Sequence, residues 1–163
     1  MQERIILGID PGLHKTGWGI VRSVGSSLSY ITGGTIKTNP KHPGSDRLCV
    51  IYNGLSEILD TYKPTDVAVE EVYVNENARS SLKLGQARGV PLLVAGLAGL
   101  QCAEYTPAAV KKAIVGTGRA DKNQIGYMVK MLLPTAKPDS EDAADALAVA
   151  ICHAHTASGY GQF

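Results

Sequence analysis

Several acidic residues of this chain occur where the surrounding sequence is otherwise apolar. Asp10 ends the apolar run ILGID at a Pro-Gly turn, and Glu70 and Glu71 lie within the segment DVAVEEVYV. Asp142 and Asp145 lie three residues apart in DAADALAVA, which places them on one face of a helix. Because an unpaired buried carboxylate is costly, these acids are expected to have cationic partners or to bind metal ions.

Simpler roles are open for some of these acids. Asp10 could hydrogen-bond to the backbone of its Pro-Gly turn, as Asp commonly does. Asp139, Glu141 and Asp142 could cap the first turn of a helix or interact with its dipole, and this is the simpler explanation for those three. Asp145 is harder to explain in this way, because it lies inside a strongly apolar helical segment.

An all-oxygen set of converging side chains suits Mg²⁺ or Mn²⁺ better than zinc. Strand alternation sends Glu70 and Glu71 to opposite faces of a sheet, so only one of them is expected in a given cluster. If their strand lies beside the first strand, one glutamate meets Asp10, and the last helix can add Asp142 and Asp145. Two such ions roughly 4 Å apart activate water and stabilise the leaving oxygen in phosphodiester cleavage.

The elements that position these acids follow from hydrophobic periodicity. Five short apolar or alternating runs bounded by turn residues predict strands over 5–10, 16–23, 28–38, 66–74 and 102–106. Helical spacing of apolar residues predicts helices over 46–62, 76–101, 107–116, 122–133 and 140–155. Gly89 and Pro91 predict a bend in the second helix. This order predicts an α/β fold with a mixed five-stranded sheet flanked by helices.

Composition indicates an ordinary globular chain. It has 163 residues, 44% of them hydrophobic and 19% charged, enough for one domain with a full core. The net charge is +1, so binding of nucleic acid requires positive charge sorted onto one face. We expect one domain over 1–156 and a flexible tail over 157–163.

The cysteines and the hydropathy pattern indicate a cytoplasmic protein. Cys49, Cys102 and Cys152 are far apart and form no CxxC pair, which argues against a disulfide framework and for a reducing compartment. The chain shows no signal-peptide pattern, and its most apolar stretch, 89–103, is too short to span a bilayer. We therefore expect no association with membranes.

Five segments, in this order and spacing, resemble the RuvC family of bacterial Holliday-junction resolvases: ILGIDPG, VEEVYV, SLKLGQARGV, VKKAIVGTGRADK and DAADALAVAICHAH. The resemblance spans nearly the whole chain. It implies an RNase H-like fold, a homodimer in the bacterial cytoplasm, and Mg²⁺-dependent nicking of four-way DNA junctions in recombination and repair. It also implies that Asp10, Glu70, Asp142 and Asp145 are catalytic metal ligands, and so selects Glu70 from the tandem pair.

The resemblance further implies how such an enzyme acts. Symmetric paired nicks leave 5′-phosphate and 3′-hydroxyl ends, a short T-rich sequence is preferred, and the enzyme works with a RuvA–RuvB-type branch-migration complex. We expect two Mg²⁺ ions per active site, with Asp10 as their shared ligand and Mn²⁺ as a substitute. The long middle helix is expected to contribute to the dimer interface.

DNA-binding residues are also implied by the resemblance. Lys111 and Lys122 match family positions associated with DNA contact and activity. Tyr73 is expected to stack on an unpaired base at the junction centre, as aromatic residues do in single-strand binding, although core packing is its simpler role. Asn75 and Asn77 are placed to reach the DNA backbone or base edges.

Arg79 and Lys83, on the middle helix, complete the set of candidate DNA contacts. A solvated helix face is the simpler explanation for any single lysine or arginine. These two are retained because the proposed substrate requires positive charge along one surface.

Three other functions compete with junction cleavage. An actin-like ATPase or sugar kinase shares the opening motif, but it needs a second lobe and a second phosphate loop. Another RNase H-like nuclease, acting on RNA or RNA–DNA hybrids, is not excluded by the acids alone, although the pairing of GQARG with DAADAL favours the resolvase. A non-cutting junction-binding module is disfavoured because all four acids are present.

Overall fold

The computed structural model describes residues 2–71 and 77–156. Within these residues the strands are β1 (Glu3–Asp10), β2 (Lys15–Val24), β3 (Ser27–Lys37), β4 (Asp66–Glu70) and β5 (Cys102–Tyr105). The helices are α1 (Gly44–Tyr62), α2 (Ala78–Leu97), α3 (Pro107–Val115), α4 (Lys122–Leu132) and α5 (Glu141–Thr156). No helix of this described part is long and apolar enough to cross a membrane.

The five strands form one mixed sheet in the order β3-β2-β1-β4-β5. β1 pairs with β2 and β2 with β3 in antiparallel fashion, whereas β1–β4 and β4–β5 are parallel. The predicted mixed five-stranded sheet is therefore confirmed, as is the adjacency of the strands that carry Asp10 and Glu70. Ile9 is paired with Val69, so both acids end their strands at the same edge of the sheet.

The two faces of the sheet bury different helices, because successive side chains of a strand point to opposite faces. Leu7 and Ile9 pack into a cluster with residues of α1 and α2. Ile6 and Ala68 point to the other face and pack with Leu147 and other residues of α5. Asp10 and Glu70 continue this second set, so both acids belong to the face covered by α5.

Glycines let α5 lie unusually close to this face. A Cβ on Gly8 would lie 2.1 Å from the carbonyl oxygen of Ala146, and one on Gly17 would lie 2.0 Å from the carbonyl oxygen of Asp142. No larger residue fits at either position without displacing the helix. The start of α5 is thereby fixed above β2, next to the end of β1.

Two predicted elements, α2 and β4, differ from the structure by more than two residues at one end. α2 begins at Ala78 and ends at Leu97 rather than running from 76 to 101, because Asn77 caps its start and Gly99 turns the chain with a φ of 74°. The helix continues through Pro91 without a break, and the bend expected there stays a prediction. β4 ends at Glu70; the predicted extension over 72–74 and the predicted tail over 157–163 lie outside the described residues.

Candidate active site

An open cavity of about 370 Å³ lies at the sheet edge where β1 and β4 end. Asp10, Glu70 and Asp145 line it together with two cations, Lys111 and Lys122. The remaining wall is formed by Glu71, Pro107, Val110, Ile125 and Ala148. The sheet, α3, α4 and α5 thus bring to one place residues that are up to 138 positions apart in the chain, Asp10 and Ala148.

Asp10 is at the electrostatic centre of this cavity. Burial, followed by the charges of Glu70, Asp145 and Asp142, raises the pKa of its carboxyl group to about 8 against the opposing charge of Lys122. A buried carboxyl group among like charges resists ionisation. In the Pro-Gly turn, the backbone N–H of Gly12 donates to the Thr16 hydroxyl at 3.3 Å rather than to Asp10.

The geometry distinguishes between the two adjacent glutamates. Glu70 points to the α5 face. Burial, followed by the charge of Asp145, raises its pKa to about 7 against the opposing charges of Lys111 and Lys122. Glu71 lies just beyond the end of β4, where its backbone N–H donates to the carbonyl oxygen of Tyr105 at 2.7 Å. Both border the cavity, but Glu70 is the one that interacts with the other acids.

The first turn of α5 carries Asp142, and the next turn carries Asp145. Burial raises the pKa of Asp145, and the charges of Glu141 and Asp142 add to this effect against Lys122. Asp142 is half-buried, and its charge helps to raise the pKa of both Asp10 and Asp145. Asp145 therefore meets both strand acids in the cavity, whereas Asp142 does not line it and interacts with Asp10 and Asp145 through its charge.

A hydrogen-bonded clamp from β3 fixes the start of α5. The Ser140 hydroxyl accepts from the backbone N–H of Ala143 at 3.0 Å, and the Thr35 hydroxyl lies 2.5 Å from it. Thr35 also donates to the Asp139 carboxylate at 3.1 Å. The carboxylate of Asp139 is therefore part of this hydrogen-bonded clamp. No pattern in the sequence predicted the role of Thr35. The alternating glycines of β2, in contrast, are a sequence signal that another element packs closely on this strand.

The acids fit a hard divalent cation by their chemistry. Within residues 2–71 and 77–156, no three Asp, Glu, His or Cys side chains are arranged as a ready-made metal cage. Burial and mutual repulsion nevertheless raise the pKa of Asp10, Glu70 and Asp145, and a bound cation relieves this kind of repulsion. Their donors are all carboxylate oxygens, which suit Mg²⁺ or Mn²⁺.

Lys122 reaches the cavity from the first residue of α4. A capping box fixes this helix start: the Asp121 carboxylate accepts from the N–H of Gln124 at 2.8 Å, and the Gln124 side chain accepts from the N–H of Asp121 at 2.9 Å. The Lys122 ammonium donates to Glu141 at 2.6 Å, and this hydrogen bond raises its pKa. Both side chains of this pair are largely exposed.

The other predicted DNA contacts divide into three groups. Asn77 caps α2, because its side-chain oxygen accepts from the backbone N–H groups of Arg79 and Ser80 at 3.1 and 3.2 Å. Arg79 and Lys83 are exposed and one turn apart on α2. Tyr73 and Asn75 lie outside the described residues.

Comparison with known proteins places these features in a family. The family model for RuvC, crossover junction endodeoxyribonuclease, matches residues 6–153. The chain is 55% identical to the crossover junction endodeoxyribonuclease RuvC of Brucella anthropi over 156 residues, which is 95% of this chain and 91% of that protein. Its counterpart in Mesorhizobium japonicum is 55% identical over 150 residues, 92% of this chain and 89% of that protein.

Solved structures agree with this assignment. The fold matches that of Thermus thermophilus RuvC in complex with a Holliday junction substrate with a TM-score of 0.88, at 34% identity and over 93% of each chain. The yeast mitochondrial Holliday junction resolvase, at 12% identity and a TM-score of 0.66, shares the fold. The predicted RNase H-like fold is therefore confirmed.

Proposed function

Because the chain belongs to the RuvC family of crossover junction endodeoxyribonucleases, we propose that it resolves four-way DNA junctions by a symmetric pair of nicks. Each nick hydrolyses one phosphodiester bond and leaves a 5′-phosphate and a 3′-hydroxyl end, in homologous recombination and DNA repair. The observation that carries this proposal is the meeting of Asp10, Glu70 and Asp145 in one open cavity. The match to a RuvC bound to a junction supports the choice of substrate.

Mg²⁺ is the proposed cofactor, with two ions per active site and Mn²⁺ as a substitute. Asp10, Glu70, Asp142 and Asp145 are the side chains that would hold these ions. When bound, the ions supply the Lewis acidity that makes water a nucleophile and stabilises the departing 3′ oxygen. The carboxyl groups of Asp10 and Glu70, with pKa values of about 8 and about 7 in the ion-free protein, must lose their protons to become ligands.

Two lysines are proposed to hold the scissile phosphate. Lys111 and Lys122 border the cavity and oppose the negative charge of Glu70. The ion pair of Lys122 with Glu141 is largely exposed, and exposed pairs contribute little free energy. Lys122 can therefore exchange Glu141 for a phosphate at small cost. A groove of about 430 Å³ continues from Lys122 along α4 to Lys130 and offers a path for the DNA backbone.

The remaining proposed DNA contacts lie on α2 and in the segment that leads to it from β4. Arg79 and Lys83 add exposed positive charge there. Tyr73 and Asn75, by resemblance, belong to the segment that precedes this helix and contacts the junction centre. Asn77 serves first as the helix cap, which holds Arg79 in place and leaves the amide NH₂ for a phosphate or base edge.

A homodimer is the proposed assembly, and α2 is its proposed interface. Leu82, Leu93 and Leu97 are 69%, 54% and 67% exposed. Gly85 and Gly89 follow Leu82 at helical spacing, and a Cβ at either position would meet nothing within 4 Å. These residues form one open apolar face, which a two-fold partner can cover closely. Two symmetric nicks also suit a two-fold symmetric enzyme.

The proposed setting is the bacterial cytoplasm. The three cysteines are unpaired, as is usual in a reducing compartment. The whole of residues 1–156 is proposed to act as one nuclease domain, with 157–163 as a tail. A RuvA–RuvB-type branch-migration complex is the proposed partner on family grounds alone.

A panel of substrates tests the proposed function. Equal concentrations of a four-way DNA junction, its linear duplex arms and an RNA–DNA hybrid are incubated with the protein in Mg²⁺ and in EDTA. We expect cutting of the junction alone, and only with Mg²⁺. Cutting of the hybrid but not the junction would assign the protein to another branch of this fold, and tight binding without cutting would make it a junction-binding module.

A further inference from the structure

Two lysines at one end of the β2–β3 ladder oppose each other directly. Lys15 and Lys37 are cross-strand partners, and both are exposed. Like charges in such positions destabilise an antiparallel pair. Within residues 2–71 and 77–156, no acid forms an ion pair with either lysine. The sheet therefore retains a repulsive pair that its own side chains do not neutralise.

The segments around this pair add positive charge with little compensation. Lys41 and Arg47 follow β3, and Asp46 is the single acid between residues 11 and 47; the fifth cation of this stretch, Arg22, lies at the other end of β2, where it pairs with Glu3 at 2.6 Å. One further carboxylate lies here: Asp139, just before α5, accepts from the Thr35 hydroxyl at 3.1 Å and keeps its charge. The four cations Lys15, Lys37, Lys41 and Arg47 still outnumber the two acids Asp46 and Asp139. The surface at the end of β2 and β3 is thus suited to an anionic ligand.

The strand register places this pair beside the catalytic acids. Asp10 is opposite Gly17, and Lys15 lies two residues from Gly17 along β2, so it points to the same face of the sheet. With about 4.8 Å between strands and about 3.4 Å per residue along them, the Cα atoms of Lys15 and Asp10 are roughly 8 Å apart. Charges along a DNA strand recur about every 3.4 Å of helix axis, so Lys15 can reach a phosphate within two or three nucleotides of the cut.

The pair lies on the β2 side of Asp10. Lys111 acts on Glu70, which belongs to β4, whereas Lys15 belongs to β2. β1 lies between β2 and β4 in the sheet. Positive charge therefore flanks the acids on both sides of β1.

We propose that Lys15 and Lys37 bind the phosphodiester backbone of the DNA strand where it leaves the catalytic acids over β2 and β3. A phosphate placed between the two ammonium groups removes their mutual repulsion. The repulsion between the two lysines therefore lowers the stability of the free protein, and its removal on binding increases the affinity for DNA. This inference rests on the proposed function, because it requires a DNA strand in the catalytic cavity.

The test compares three variants with the wild type: Lys15→Gln, Lys37→Gln and Lys15→Arg. Binding of a four-way DNA junction is measured in EDTA, where no strand is cut, over a series of salt concentrations. We expect each Gln variant to bind more weakly and to reduce the slope of log K against log salt by about 0.9, the value for one lost phosphate contact. Lys15→Arg should keep the slope. The thermal midpoints of the Gln variants should equal or exceed that of the wild type, because the repulsion is gone.

Lys63→Asn supplies the matched control. It removes one positive charge at the opposite edge of the sheet, just before β4, and Lys63 has a left-handed φ of 47° that Asn adopts readily. Unchanged slopes in both Gln variants, or an equal loss in Lys63→Asn, would overturn this inference alone. A wild-type protein that does not bind the junction at all would overturn the proposed function together with it.

Discussion

The backbone of Asp142 lies directly against Gly17, where a Cβ would come within 2.0 Å of its carbonyl oxygen. Gly17 is in turn the cross-strand partner of Asp10. Because Gly17 has no side chain, α5 approaches β2 closely, and this approach sets the distance between the acids of α5 and the acid that ends β1. The geometry of the proposed catalytic acids therefore depends on a backbone packing contact.

Substitution of Gly17 by Ala should separate these acids. The added methyl group must displace α5 or β2, at a cost in stability of about 1–3 kcal/mol, and a shift of about 1 Å in the acids should reduce cleavage by up to about 100-fold. Junction cleavage and urea unfolding of Gly17→Ala measure the two effects. The control is Gly44→Ala, because a Cβ there meets nothing within 4 Å. Wild-type cleavage by Gly17→Ala would show that α5 does not depend on this contact.

Neutralisation of Asp10 should stabilise the metal-free protein while abolishing cleavage. Burial, followed by the charges of Glu70, Asp145 and Asp142, raises the pKa of Asp10 to about 8, whereas an unfolded Asp titrates near 3.9. Between these pH values the folded chain holds a proton that the unfolded chain has lost, so the free energy of unfolding falls as the pH rises.

The measurement is urea unfolding in EDTA from pH 5 to pH 9. We expect Asp10→Asn to exceed the wild type at pH 8 by at least about 1 kcal/mol, the value of one pKa unit, and the difference should narrow towards pH 5. Mg²⁺ should stabilise the wild type more than the variant, because the variant lacks one ligand. Parallel pH profiles of the two proteins would contradict this electrostatic description of the cavity.

A second titratable cluster should make folding sensitive to acid. Asp66 accepts from His153 at 2.9 Å, Arg4 at 3.0 Å and the Thr65 hydroxyl at 2.7 Å. Burial acts to raise its pKa, but these hydrogen bonds outweigh that effect and hold the pKa well below its usual range. His153 also lies 2.7 Å from the Tyr105 hydroxyl, whose pKa burial raises to about 12.

A carboxyl group with a depressed pKa contributes stability above about pH 4, and this stability is lost as the pH falls. Asp66→Asn should therefore lower the free energy of unfolding at pH 7 by about 2 kcal/mol. Its deficit relative to the wild type should shrink below about pH 4. Urea unfolding from pH 3 to pH 7 tests this, with the exposed Asp60→Asn as the control. A deficit independent of pH would indicate that packing, not charge, is the contribution of Asp66.

A charge on the open face of α2 should prevent dimer formation. Leu93→Glu places a carboxylate in the centre of the proposed interface, where burying it without a partner is costly. Light scattering should give the mass of one 17.2 kDa chain for this variant and twice that mass for the wild type. Val50→Glu, at a residue of α1 that is 43% exposed, should remain a dimer. A monomeric wild type, or an unchanged mass for Leu93→Glu, would refute this interface.

Local patterns predicted the elements, whereas long-range contacts decided which residues meet. Periodicity was sufficient for the strands and for α5, and the adjacency of β1 and β4 brought Asp10 and Glu70 together as expected. Alternation alone could not choose between Glu70 and Glu71, because a single strand does not reveal which of its faces α5 covers. The contact of Thr35 with Ser140 spans 105 positions of the chain, and no local pattern encodes it.

The end of α2 shows where apolar spacing alone misplaces a helix boundary. Apolar residues continue past Leu97 at a spacing that favours a longer helix, yet Gly99 takes a φ of 74° and the chain turns. The N–H of Leu100 then donates to the carbonyl oxygen of Ala95 at 2.9 Å. The N–H of Gly99 also donates to the carbonyl oxygen of Gly96 at 3.0 Å. These two bonds form a Schellman motif around a left-handed glycine, so a local stop signal ends the helix although the apolar spacing continues.

The most direct test of the carboxylate site is cleavage of a four-way junction, labelled in each strand in turn, by wild type, Glu70→Gln and Glu71→Gln. These two variants differ by one position and carry the same chemical change. We predict symmetric, ligatable nicks by the wild type in Mg²⁺, a loss of at least about 100-fold in Glu70→Gln, and retention of most activity in Glu71→Gln. Full activity in Glu70→Gln, or its loss in Glu71→Gln alone, would contradict the site described by these residues.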